Sequence, residues 1–189
     1  MRSSHNALHS LHHTISGKSI MLTIFSIPKP FIGHIGLIQR NAIISWLHLI
    51  PKCEIILFGD EPGIQEIAQE FGIRHVPDIR KNEYGTPFLD DVFNQARKTA
   101  HHDILCYCNA DIIFFNDILE SIKKIPVREY LMVGERWDVD VTTPIDTTRE
   151  NWAEEFSLLH GSIIQSRIFP AWIILFSQKV CSMNSRLLL

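Results

Sequence analysis

Cysteine is scarce. The 189 residues contain four, Cys53, Cys106, Cys108 and Cys181, with no CxxC and no paired spacing of the kind a disulfide framework uses. The chain therefore reads as a protein of a reducing compartment, the cytoplasm by default. Long apolar runs are also missing. The nearest candidate, Ile168–Gln178, is shorter than the ~20 residues of a membrane helix and contains Pro170, so no integral membrane segment is expected. Met1–Ile20 has no compact apolar centre, which argues against a secretory signal. Net positive charge is absent too. Lys and Arg total 18 against 21 Asp and Glu, a balance of −3, and no long basic run offers a surface for nucleic acid.

The remaining composition is that of a globular chain. With 46% hydrophobic and 21% charged residues, wholesale disorder and a fibrous chain are excluded, and the length suits one domain with a substantial core. Residues 1–20 stand apart: His5, His9, His12 and His13 are scattered among serines without apolar periodicity. They read as a disordered leader, or as sequence ahead of a true start at Met21. Residues 21–160 form the ordered domain, and 161–189 form a divergent tail without any acid.

From Met21 short β-rich runs alternate with helical stripes. Leu22–Ile27, Glu54–Phe58, Arg74–Val76, Asp103–Cys108 and Tyr130–Val133 read as strands. Between them, Ile38–Leu49 is a predicted helix with Ile43, Trp46, Leu47 and Ile50 on one face. Ile64, Ile67, Ala68 and Phe71 mark a second helix, closed by Gly72. A third is expected to be capped by Thr86 with Pro87 at its first position and Leu89, Val92, Phe93 and Ala96 inward. Asp117 and Glu120 read as a capping box for a fourth, with Ile118, Leu119, Ile122 and Ile125 buried. This order predicts an α/β fold, a mostly parallel sheet sandwiched by helices. Such sheets bind ligands beyond the carboxyl ends of their strands.

The loops at those ends carry the polar groups. Cys108-Asn109-Ala110-Asp111 closes the fourth strand, and a carboxylate delivered there can ligate a hard divalent cation or simply cap a turn. Cys106 and Cys108 alternate on one strand face; with His101 and His102 nearby they make a conceivable metal site, although core thiols are the plainer reading.

The motifs recur in a fixed order. Pro28-Lys29-Pro30-Phe31 follows the first strand, Gln39-Arg40-Asn41-Ala42 lies in the first helix, and Phe58-Gly59-Asp60-Glu61 follows the second strand. Arg80-Lys81-Asn82-Glu83-Tyr84-Gly85-Thr86-Pro87 leads into the helix bearing Asp90-Asp91. Asn109-Ala110-Asp111 and Gly134-Glu135-Arg136-Trp137-Asp138 complete the set. The string resembles the nucleotide-diphospho-sugar transferase superfamily, the GT-A glycosyltransferases, across about residues 21–160.

That resemblance implies a Rossmann-like GT-A fold, a nucleotide-sugar donor, a hydroxyl acceptor of unknown identity, and Mn²⁺ or Mg²⁺ as cofactor. The stretch after the fourth strand corresponds to the family's DxD motif. Its first acid is Asn109 here, so the metal role passes to Asp111 alone, and Asn109 becomes a ribose contact or an outer hydrogen-bonding partner. Pro28, Asp60 and Glu61 map to the nucleoside-holding loops, with Arg80 or Lys81 approaching from the third. Asp138 and Asp140 are the candidates for the carboxylate base, and Trp137 for stacking on a sugar. Relatives carry a longer second half, so the chain reads as truncated, and a catalytically inactive nucleotide-sugar-binding module is the alternative. A nucleotidyltransferase would want a glycine-rich loop after the first strand, where Pro28–Pro30 stands.

Overall fold

The computed structural model describes residues 21–127, 130–134, 138–149, 151–160 and 173–177. The order is β1 (Leu22–Ser26), α1 (Gly33–Leu47), β2 (Glu54–Phe58), α2 (Ile64–Phe71), β3 (Arg74–Val76), α3 (Leu89–Thr99), β4 (Ile104–Cys108), α4 (Asp117–Lys123), β5 (Leu131–Val133), α5 (Trp152–His160) and β6 (Ile173–Ser177). The strands form one sheet in the order β3-β2-β1-β4-β6-β5. β3, β2, β1 and β4 are parallel, whereas β6 runs antiparallel between β4 and β5.

Strand alternation divides the core into two layers. Leu22, Ile24, Ile55, Leu57, Cys106 and Cys108 pack against Ile43 and Trp46 of α1, Ile64 and Ile67 of α2, and Leu119 and Ile122 of α4. Phe25, Ile56, Phe58, Leu105 and Tyr107 meet Val92, Phe93 and Ala96 of α3 on the other. Phe25 lies 5.2 Å from the Phe93 ring, 5.4 Å from Tyr107 and 6.1 Å from Phe58, tilted or edge-on in each case, the geometry that aromatic quadrupoles favour.

Cys106 and Cys108 are core thiols. Burial pushes the Cys108 thiol well up, and His101 lies at the other end of the strand, 3.0 Å from Glu54. The strands match the periodicity within a residue or so, and several helix details depart from it. α1 begins at Gly33, a turn before the expected start, and Ile50 is exposed rather than on its inward face. Thr86 and Pro87 do not open α3; Pro87 forms a bridge to Lys81, and α3 starts at Leu89, itself exposed. No capping box forms at α4. Its N-cap is Asn116, whose Oδ1 accepts from Ile50 N at 2.9 Å, and Glu120 pairs with Lys123.

The tail expectation is corrected for residues 173–177, which form β6 and pair with β4 along the full length of both strands. The leader 1–20 and Glu135, Arg136 and Trp137, with the stacking role of Trp137, lie outside the described residues. Among the described residues no helix is long and apolar enough to cross a membrane.

Candidate functional site

Parallel pairing decides where the polar loops meet. Ser26 is level with Leu57 of β2, and Phe25 with Tyr107 of β4. The three parallel strands therefore end at one edge of the sheet, from which the loops holding Pro28, Asp60 and Asp111 leave. Asp60 lies two residues past the end of β2 and Asp111 three past the end of β4, and β1 runs between those two strands. Pro28 is buried, Asn109 is half-buried, and Asp60 and Asp111 are exposed. Ser26 Oγ donates to Cys108 O at 2.6 Å, a buried bond that ties the ends of β1 and β4 together.

The loop after β1 is locked to the loop after β2. Phe31 N donates to Pro62 O at 2.9 Å. Gly63 has φ +90° and its missing Cβ would fall 2.8 Å from Phe31 Cβ, so only glycine accepts both the backbone and the approach. Lys81 reaches across from the loop after β3, hydrogen-bonding Asp60 Oδ1 and lying 3.3 Å from Glu61 Oε1. The Lys81 ammonium holds the Asp60 carboxyl below the usual carboxylate range, and the same contact raises Lys81. Arg80 is committed elsewhere. Its guanidinium lies 2.8 Å from Asp90 and 3.4 Å from Asp91 and covers the Phe88 ring at 5.4 Å. The structure thus brings Lys81, not Arg80, to the two acids of the second loop.

Polar residues of α1 organise three of these loops, a role that sequence reasoning missed. Gln39 Oε1 accepts from Lys29 N at 2.7 Å, and its Nε2 donates to Lys29 O at 2.9 Å. Asn41 treats the segment after β5 the same way, donating to Thr143 O and accepting from Ile145 N, both at 3.0 Å. Ser45 Oγ accepts from Phe114 N at 3.0 Å, and Trp46 Nε1 donates to Ile112 O at 2.7 Å, fixing the descent of the chain after Asp111. Gln39, Asn41 and Ser45 are nearly inaccessible to solvent. The available signal was polar residues interleaved with the helix's apolar stripe, where burial demands hydrogen-bond partners. Asp138 and Asp140 are exposed on the segment between β5 and the Asn41 clamp.

Among solved structures, a CMP:2-keto-3-deoxy-manno-octonic acid synthetase complexed with CTP aligns at TM-score 0.51 and 16% identity, over 87% of this chain and 76% of its own. The chain has the Rossmann-like fold of the nucleotide-diphospho-sugar transferases. A cytidylyltransferase from Leptospira borgpetersenii serovar Hardjo-bovis aligns at 0.49 and 12% identity over 86% of this chain and 63% of its own. The galactosyltransferase LgtC, in complex with donor and acceptor sugar analogs, aligns at 0.47 and 11% over 87% and 60%. The chain therefore spans less than two thirds of the length of the last two. No protein-family model and no curated protein matches it.

The donor set for a cation is thin. Among the described residues no group of three or more His, Cys, Asp or Glu side chains comes together to hold a metal ion. One exposed carboxylate, Asp111, with the neutral Asn109 two residues before it, suits a cation whose remaining positions are filled by phosphate oxygens and water.

Proposed function

We propose that the chain binds a nucleotide-diphosphate sugar across the carboxyl edge of β2, β1 and β4 and transfers the sugar to a hydroxyl acceptor. The observation that supports this reading is the parallel register that ends β2, β1 and β4 at one edge, with Asp60 and Asp111 in the loops that follow β2 and β4. The acid that follows β2 can accept from ribose hydroxyls, and the buried Pro28 follows β1, the strand between β2 and β4. Asp111 would hold Mn²⁺ or Mg²⁺, which would supply positive charge against the departing nucleoside diphosphate.

The protein's own groups do the rest. The acceptor oxygen bonds to C1 as the C1–O bond to the diphosphate breaks, and Asp138 or Asp140 takes the acceptor proton. Asn41 docks the residues that follow these acids, 143 and 145, on α1.

The test is calorimetry with a panel of nucleotide sugars, with and without Mn²⁺ or Mg²⁺, followed by assay of nucleoside diphosphate release. Donor binding with turnover is the expected result. Binding without release on any acceptor identifies the inactive module instead. Release of pyrophosphate from a nucleoside triphosphate and a sugar identifies a nucleotidyltransferase. Failure to bind any nucleotide refutes the reading.

A further inference from the structure

β3 is an outer strand of the sheet, and among the described residues nothing pairs with its outer side. Gly59 N donates to Val76 O at 3.0 Å, which turns the backbone groups of Val76 toward β2. Successive residues of a parallel strand aim their backbone groups to opposite sides. Arg74 therefore also faces β2, and His75 turns its N–H and C=O outward. Beside that edge lies an open groove of about 450 Å³, lined by Ile73, His75 and Pro77 of the strand side and by Gln65, Ala68 and Gln69 of α2. Ile73 N donates to Ala68 O at 3.0 Å and holds α2 flush with the strand. The His75 ring is fixed as well, its Nε2 donating to Gly59 O at 2.8 Å. No Asp, Glu, Lys or Arg lines the groove.

We propose that the outer edge of β3 pairs with the same edge of a second copy of this chain, antiparallel about a two-fold axis at His75. The inference is independent of the nucleotide-sugar reading. In an antiparallel pair, two opposed residues exchange both backbone bonds, and His75 presents the donor and the acceptor that this exchange needs. The ladder stops there, because Ile73 N is already used by Ala68 O and Pro77 has no N–H. Two backbone bonds are a small return for ordering a flexible peptide. A folded copy arrives with its strand already fixed and sets its own α2 beside the first. Near the axis a two-fold contact brings each side chain up to its own duplicate, so a charged strip would repel itself. The uncharged groove avoids this, and the Gln65 and Gln69 amides, each both donor and acceptor, suit self-pairing. The carboxyl edges of the two copies then point in opposite directions.

The experiment is sedimentation equilibrium of the full chain over a range of concentrations, with amide hydrogen exchange followed over the same range. The mass should double as concentration rises, and exchange at the His75 amide should slow in step. Gln65→Lys combined with Gln69→Lys, both on exposed side chains, sets like charges across the axis and should weaken the dimer by at least about tenfold. Mixing that variant with the Gln65→Glu, Gln69→Glu protein should restore a dimer, which requires this surface to meet its own copy. The exchange measurement on wild type does not depend on how the variants fold. Protein that stays monomeric at every concentration overturns the proposal. So does a dimer that ignores the lysine pair, since it uses another surface. A His75 amide equally protected in the monomer overturns it too, by showing that the edge is covered within one chain.

Discussion

Asp111 is the only acid in its turn, so no neighbour replaces it. Asp111→Asn should weaken metal-assisted donor binding by at least about tenfold and erase most of the response to Mn²⁺ or Mg²⁺ in calorimetry, because a charge-assisted contact is worth ~1.5–3 kcal/mol. Asn109→Ala should be milder, as only a neutral amide is lost. The Asp60–Lys81 pair has a defined pH range. Asp60 is lowered by the Lys81 hydrogen bond, so its contribution holds above the unfolded carboxyl value and is lost as pH falls through the folded one. Lys81 is raised by the same bond, so its contribution holds below the unfolded ammonium value and is lost as pH rises through the folded one. The pair's contribution is therefore flat through neutrality. Carboxyl NMR should place Asp60 below the usual ~3.9, and Lys81→Met should move it upward. An Asp60 midpoint that ignores Lys81→Met contradicts the pair.

At the scale of elements, α1 works as an internal brace. Asn41→Ala removes both bonds to residues 143 and 145 and should cost about 1–3 kcal/mol of stability, with loss of hydrogen-exchange protection at the Ile145 amide. Unchanged exchange there would show that the segment is held by something else. Strand runs and the α2 and α3 stripes were legible because burial on alternate faces or every third and fourth residue leaves a periodic mark. The Asn41 clamp left none, since its partners are backbone groups more than a hundred residues away. Thr86-Pro87 misled for a local reason. The pair satisfies a helix-start pattern, but the Asn82 side chain recruits the same backbone into a turn first. Asp60 and Asp111 were legible as strand-end acids; the Lys81 bridge and the diversion of Arg80 to α3 depended on loop shape.

For the molecule as a whole, Phe25 lies in the layer that α3 covers among the described residues, and it has no exposed surface. Phe25→Ala should cost ~3–5 kcal/mol in urea unfolding, since three aromatic neighbours lose a common partner. A shortened chain ending at His160 loses β6, which separates β4 from β5 and pairs with both. It should unfold at a lower temperature and associate through the bared edge of β4, as light scattering would reveal. A melting curve like that of the full chain would show that β6 adds nothing. The apolar run that becomes β6 was visible in the sequence, but its alternation was too weak and its partners too distant to place it in the sheet.

The position of β6 also orders events during synthesis. β1 to β4 are made first and pair directly with one another, so the parallel half can assemble as soon as they leave the ribosome. β5 emerges next but has no neighbour to join until residues 173–177 arrive and slot between it and β4. The strand that delivers Asp111 thus spends the interval with one side unpaired. During that interval the nascent chain holds a sheet that is complete toward β3 and open beside β4, and a chaperone or a second nascent chain would meet it there.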